Sequence, residues 1–569
     1  MDNLSAKSSF TWLDWIVMIL YMLGVLVIPI FFFWQSKKDK KFNSSKYLTA
    51  KNMRVPAIVV ALSIWATALS SLTFLGTPGL AFKTGWMWIA GQITILAITP
   101  YLTKIIIPFY RRIKGSTSYT YLQQRFNYAV RFIGSISFIL FHIFRMGIVL
   151  YIPALTITLF VDINIYLLLF IVSIIVIIST FLGGFKGVLY TDAVQGFVLM
   201  LGIFLVIIFG LAKTNWSAST TKLHILFSKD QWKISLTSGG IFFIFISNYI
   251  STMFSYSASQ DIVQRYKTGK TISTTYKSIY INVILVAITI LFFYGAGSIL
   301  YTYYSSHGFE VDAKNAIDQI VGRDKAANNL LLSNFIVKVL PMGISGLVVS
   351  AVFAASQSTV SSSLNSLVTT FINDIVIVFY NKIKEKSKLF LSYILTIVFG
   401  FLGFLVTILL AATKQQNLID YFLGIVGLLG APLAAVFLLG VVTKKTNAIG
   451  ALTGLIISFL ITLPIWILVK ITKTIKFDTI YLGVISFVVV LLIGYLISIV
   501  IEKLKLSKEK DLTNLTMHTR TDEFKKLVKL EKEALKLELK TKKNNEFKKL
   551  FDEKMVEIKR LEEIVENQT

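Results

Sequence analysis

Apolar stretches of about twenty residues recur from Leu13 to Val500, separated by short polar segments. That is the length a membrane-crossing helix needs. The pattern predicts about thirteen spans, near residues 12–34, 55–81, 84–108, 132–160, 164–183, 188–212, 237–258, 278–303, 340–373, 388–412, 418–442, 447–469 and 479–501. The first run is too long for a signal-peptide core and lacks a small-residue cleavage site, so it reads as a retained helix. The expected class is an all-α polytopic membrane protein.

One span departs from the apolar pattern. Ala66 to Gly79 reads ATALSSLTFLGTPG, with Ser, Thr, Gly and Pro crowded at membrane depth. Irregular backbone is tolerated there only inside protein or beside a cavity. A Gly/Pro-interrupted span points to a transporter binding site. The plainer alternative is a kinked structural helix, since both residues are common in membrane helices.

Composition agrees with a membrane protein: 55% of the 569 residues are hydrophobic and 15% are charged. There is no cysteine, which excludes disulfides, thiolate metal sites and a cysteine nucleophile. A net charge of +27 would suit a nucleic-acid binder, but the Lys and Arg fall in alternate loops. Seven lie between Lys37 and Arg54. Arg111, Arg112, Lys114, Arg125 and Arg131 follow, then Arg265, Lys267 and Lys270, then Lys382 to Lys388, then Lys444 and Lys445. Basic loops face the cytoplasm. The expectation is a multi-pass cell-membrane protein with its N-terminus outside, its C-terminus cytoplasmic and no nucleic-acid partner. The opposite loop, 213–236, is less clean because it carries four Lys.

Ionisable residues within the spans are few, and each is a functional candidate because charge in a bilayer is expensive. Arg145 lies about fourteen residues from Arg131 and about seventeen from Asp162. No acidic residue is expected at its depth, so it reads as the counter-charge for an anionic substrate. The alternative is a structural Arg on backbone carbonyls. His142, one turn earlier, either shares that pocket or is hydrogen-bonded structure. Asp192, in GGFKGVLYTDAVQG, is either a helix N-terminal carboxylate or a ligand for a small hard cation. Ala355 to Asn365, ASQSTVSSSLN, is crowded with hydroxyls. Small residues let helices approach, yet Ser358 and Thr359 recur one turn on as Ser361 and Ser362, which suits a sodium path.

Six motifs in order resemble the sodium/solute symporters, in the superfamily of the sodium/glucose transporters. They are SSKYLTAKNMRVP, IIIPFYRRIKGSTSYTYLQQRF, GGFKGVLYTDAVQG, SQDIVQRY, LPMGISGLVVSAVFAASQSTVSSSLNS and GVVTKKTNAIGALTG, over about residues 45–455. Within the family the chain is most similar to the bacterial sodium/sialic acid symporters. The resemblance implies a leucine-transporter-like five-plus-five inverted repeat with broken helices, working by alternating access. It divides the chain into an extra helix and basic loop (1–44), the core (45–442), two further membrane helices (443–502) and a charged tail (503–569). It implies that Ser70, Thr73, Gln92 and Arg145 bind the substrate, with sialic acid (N-acetylneuraminate) the expected cargo. Leu72 and Thr73 stand where sugar-selective relatives carry acidic or amide groups, which argues against neutral hexoses. It also implies a common sodium site at Ala66, Leu69, Ala355, Ser358 and Thr359. A second, at Asp192, Ser361 and Ser362, would make uptake of an anion electrogenic. Phe254 and Tyr256 are candidates for a gate, against the alternative of packing. The family also takes other monocarboxylates, amino acids or sugars.

After Glu502 the composition turns to Lys, Glu and Leu. Phe547, Phe551, Met555, Ile558, Leu561 and Val565 recur at helical spacing, with Asn544 and Asn545 as an interruption. The expectation is a solvated or surface-lying amphipathic helix, touching the membrane surface or itself. A solute receptor would need an output domain, which this tail does not resemble. A channel would not need Arg145 and hydroxyls at the midplane. No nucleophile–base pair or nucleotide loop suggests an enzyme.

Overall fold

The computed structural model describes residues 10–568 apart from 41, 50–54, 114, 159–160, 215–228, 270, 312–315, 322–327, 381, 414–417, 473, 507–509 and 542–546. Among the described residues, eleven helices are long and apolar enough to cross a bilayer, and a bent pair makes a further span. In chain order these are α1 (Trp12–Lys38), the pair α2 (Ala57–Ala68) and α3 (Ser71–Thr84), α4 (Ile89–Arg112), α5 (Tyr128–Ile157), α6 (Ile165–Lys213) and α7 (Gly240–Ala258). There follow α8 (Ile272–Ser306), α9 (Ile344–Phe379), α10 (Glu385–Ala412), α11 (Leu418–Val442), α12 (Ala448–Lys470) and α13 (Ile480–Lys503).

At 1.5 Å per residue α6 would run roughly 74 Å, more than twice the hydrocarbon thickness. It is two spans that meet at a kink on Gly184, whose φ of 53° and ψ of −167° are not helical. A Cβ there would also meet the Tyr47 ring at 2.7 Å. Counting α6 twice gives the thirteen spans that the apolar pattern predicts.

α2 and α3 meet at 62°. The joint is Leu69 and Ser70, both extended, with ψ of 98° and 170°. It is not at Gly76, Pro78 or Gly79, which lie inside α3. A second break ends α7. Phe254–Ala258 make a π-helical turn, Ser259 is extended, and a short helical segment, Gln260–Lys267, continues the chain. Two broken helices in corresponding halves are the mark of an inverted repeat.

Asp14, buried near the start of α1, ties that helix to the core. Its Oδ2 accepts from the Thr11 amide at 2.9 Å. Its Oδ1 accepts from the amides of Gly343 and Gly346, each at 2.8 Å, where α9 begins. One carboxylate thus caps two helices. The outer side of α1 exposes Trp12, Leu20, Leu23, Val27, Phe31 and Trp34, an apolar surface suited to lipid.

Several arginines counted above as loop charge are buried and paired. Arg131 Nε donates to Asp374 Oδ1 at 2.9 Å. Arg125 donates to the Gly440 and Thr443 carbonyls at the end of α11. Arg112 pairs with Glu531 at 2.6 Å. The tail is accordingly not a solvated helix. α14 (Asp522–Thr541) and α15 (Phe547–Gln568) form a hairpin. Phe524, Leu527 and Ala534 pack in it against Ile558, Leu561 and Val565. Phe524 also packs tilted against Phe109 of α4, ring centres 5.9 Å apart, and Ser273 of α8 donates to Glu538 at 2.7 Å. Asn544 and Asn545 lie outside the described residues.

Candidate functional site

A cavity of about 210 Å³ opens beside the joint between α2 and α3. Thr73 of α3, Gln92 of α4 and Arg145 of α5 line it, as does Tyr256. Ser70 does not line it. It is buried at the joint, at the N-cap of α3. Phe254 also stands off the wall, one layer behind, edge-on to Phe141 with ring centres 4.9 Å apart. Not expected from the sequence are Asn248, Ser251, Thr252 and Ser255 of α7, which add to the polar lining together with Thr77, Thr94, Asp261 and Thr289. The signal was present, because the α7 positions are spaced i, i+3, i+4 and i+7, one helix face.

Arg145 has an acidic neighbour after all. Its Nη1 donates to Asp261 Oδ2 at 3.0 Å, and its Nη2 donates to the Thr67 carbonyl at 2.7 Å. Arg145 and Asp261 both line the cavity, and the guanidinium is bonded to both broken helices. Asp261 Oδ1 accepts from the Ile262 amide at 3.0 Å. His142 is fully buried between Ser363 and Ser259, at 2.9 and 3.2 Å, and does not line the cavity.

The joint between α2 and α3 frees backbone carbonyls that need partners in a dry interior. The hydroxyl-rich stretch of α9 supplies them. Ser358 Oγ donates to the Ala66 carbonyl at 3.0 Å, and Thr359 Oγ1 to the Thr67 carbonyl at 3.3 Å. Both hydroxyls also reach the Ala355 carbonyl, at 3.2 and 3.0 Å. Ala66, Ala355, Ser358 and Thr359 are thus brought together, with Thr67 as the second carbonyl, while Leu69 lines the cavity. Such a cluster of carbonyl and hydroxyl oxygens is chemically suited to a small hard cation.

One turn along α9 lies a second oxygen cluster around Asp192, which is wholly buried. Its Oδ2 accepts from Ser63 Oγ at 2.8 Å and Ser362 Oγ at 3.0 Å, and its Oδ1 from Ser361 Oγ at 3.4 Å. Arg265, counted from sequence as a cytoplasmic loop residue, is here as well, with Nη2 donating to Asp192 Oδ2 at 2.9 Å. The motif SQDIVQRY places Asp261 and Arg265 four residues apart on one helical face, a legible sign that they act together.

The profile described as the sodium:solute symporter family matches residues 47–458. The sodium/sialic acid symporter NanT of Aliivibrio fischeri is 32% identical over 495 residues, 86% of this chain and 93% of that protein. The sodium/sialic acid symporter SiaT of Proteus mirabilis is 32% identical over 461 residues, 79% of this chain and 89% of that protein. A solved structure of a sodium-coupled sialic acid symporter, described as substrate-bound and outward-open with a novel sodium site, is similar with a TM-score of 0.76. The identity there is 30%, covering 86% of this chain and 98% of that one.

Proposed function

We infer that this chain, which belongs to the sodium:solute symporter family, uses a sodium gradient to import sialic acid or a close carboxylated sugar across the cell membrane. One observation carries the reading: Arg145, paired with Asp261, is on the wall of a cavity whose remaining polar side chains are mostly hydroxyls and amides. A guanidinium recognises a carboxylate with a planar pair of charge-assisted hydrogen bonds. Thr73, Gln92, Asn248, Ser251 and Ser255 then suit the hydroxyls and the N-acetyl group of a sugar acid. The names of the relatives support the same cargo.

Coupling is proposed to act through the joint. Sodium, as co-transported cargo, would bind the oxygens of Ala66, Ala355, Ser358 and Thr359, with Leu69 from the family pattern. Substrate would bind Thr73 on the far side of the same joint, and Ser70 by the family pattern. Arg145 connects the two: it lines the cavity with Thr73 and holds the Thr67 carbonyl that Thr359 also reaches. An ion and a substrate that both prefer one arrangement of this joint favour each other's binding. The proposed orientation puts the N-terminus outside and the tail in the cytoplasm, on the strength of the lysines at Lys382 to Lys388, Lys444 and Lys445. The test is uptake of radiolabelled N-acetylneuraminate into proteoliposomes under a sodium gradient, with potassium as the control. Accumulation that requires sodium supports the reading, and no uptake rejects it.

A further inference from the structure

Two ion pairs adjoin in the middle of the protein, Arg145–Asp261 and Arg265–Asp192. Their inner members, Asp261 and Arg265, belong to the one short segment that follows the break at Ser259. Arg265 also donates to the carbonyl of Asp261, which binds the segment to itself.

The surroundings of Arg265 Nη2 are those of an ion. It lies 2.9 Å from Asp192 Oδ2, 2.9 Å from Thr67 Oγ1 and 2.6 Å from Ser362 Oγ. A terminal guanidinium nitrogen carries two protons, yet here it faces three oxygens. A carboxylate and two hydroxyls around one point are also the ligands a small hard cation selects. Two positive charges cannot share those three oxygens without strong repulsion in a dry interior.

We propose that Arg265 is a tethered competitor for sodium at Asp192. A sodium ion takes that seat only by displacing the guanidinium, and the displaced residue carries segment 260–267, with Asp261, away from Arg145. With the guanidinium seated, the two Arg and two Asp charges cancel. Entry of sodium adds one positive charge, and release of Asp261 opens Arg145 to one negative ligand. The segment thereby links sodium at one seat to an anion at the other without leaving net charge in the core. This deepens the symport reading and rests on it.

The test is binding of sodium-22 to the purified full-length chain without any organic substrate, with Asp192→Asn as the baseline that lacks the seat. A guanidinium that holds the seat about nine-tenths of the time weakens apparent sodium affinity about tenfold. Arg265→Gln, which keeps hydrogen-bond donors and removes the charge, is expected to tighten the Asp192-dependent binding by about that factor. Arg265→Lys is expected to stay near wild type. Unchanged or weaker sodium binding in Arg265→Gln overturns the proposal and leaves a purely structural ion pair. If Arg265→Gln does not fold, hydrogen exchange on the wild type decides. Replacing potassium with sodium is expected to speed amide exchange across 260–267, and unchanged or slower exchange overturns the proposal. Neither measurement contains N-acetylneuraminate, so a chain that fails to transport that acid rejects the proposed cargo and leaves this result interpretable.

Discussion

Arg145 and Asp261 are 3.0 Å apart, and the pair joins α5 to the segment beyond the second break. The same guanidinium holds the Thr67 carbonyl beside the first break. Both discontinuous helices are therefore tied to one side chain on the cavity wall. Arg145 thus braces the core, and in the proposed function it has a second role, presenting charge to the substrate.

The two roles separate by mutation. Arg145→Ala leaves Asp261 buried without its partner, which costs about 3–5 kcal/mol of stability. Arg145→Gln with Asp261→Asn removes both charges and is expected to recover most of that loss in thermal unfolding. It is not expected to recover N-acetylneuraminate binding in calorimetry, and Arg145→Lys is expected to fail there too because Lys lacks the planar fork. Wild-type affinity in the double variant would remove Arg145 from the binding site.

Thr359→Ala deletes the hydroxyl that reaches the Thr67 and Ala355 carbonyls. It is expected to weaken sodium binding and, by reciprocity, to weaken substrate binding at fixed sodium by a matching factor. Sodium titrations at several substrate concentrations measure both. Equal substrate affinity in sodium and in potassium for the wild type would show that the site does not couple.

If Asp192 seats a second sodium, uptake of a monoanion carries one net positive charge inward. A tenfold gradient of each sodium gives about 1.4 kcal/mol, and 100 mV, inside negative, adds about 2.3 kcal/mol. The sum of roughly 5 kcal/mol supports accumulation of several thousandfold. Reversal potentials in proteoliposomes are expected to give two sodiums per substrate for the wild type and one for Asp192→Ala. A wild-type ratio of one would reject the second sodium site.

Glu531 is buried against Arg112, so the tail hairpin is docked by a desolvated pair. Glu531→Ala leaves the Arg112 charge uncompensated at a cost of about 3–5 kcal/mol. Tryptic cleavage between 503 and 541 is expected to accelerate by about a hundredfold or more. Limited proteolysis of the purified protein checks this, and an unchanged cleavage rate would show that docking does not depend on the pair.

The membrane architecture and the grouping of polar oxygens in α9 were legible along the chain. Span number was legible because a bilayer forces every crossing segment to be long, apolar and internally hydrogen-bonded, a local constraint that reading along the chain detects. The hydroxyl run in α9 and Asp192 were legible for a related reason: polar groups at membrane depth are too costly to be incidental. The tertiary structure decided where the helices break and which charges pair. The joint lies at Leu69 and Ser70 although neither is Gly or Pro. The carbonyl of Ala66 is instead held by Ser358, 292 positions away. Arg145 finds Asp261 at a separation of 116 positions. Counting residues inward from a basic loop assumes a continuous helix, and the break at Ser259 invalidates that count. It keeps Asp261 and Arg265 inside the protein where the count assigns them to the cytoplasmic edge. Pairing of buried charges depends on distance through space, and only the folded chain sets that distance.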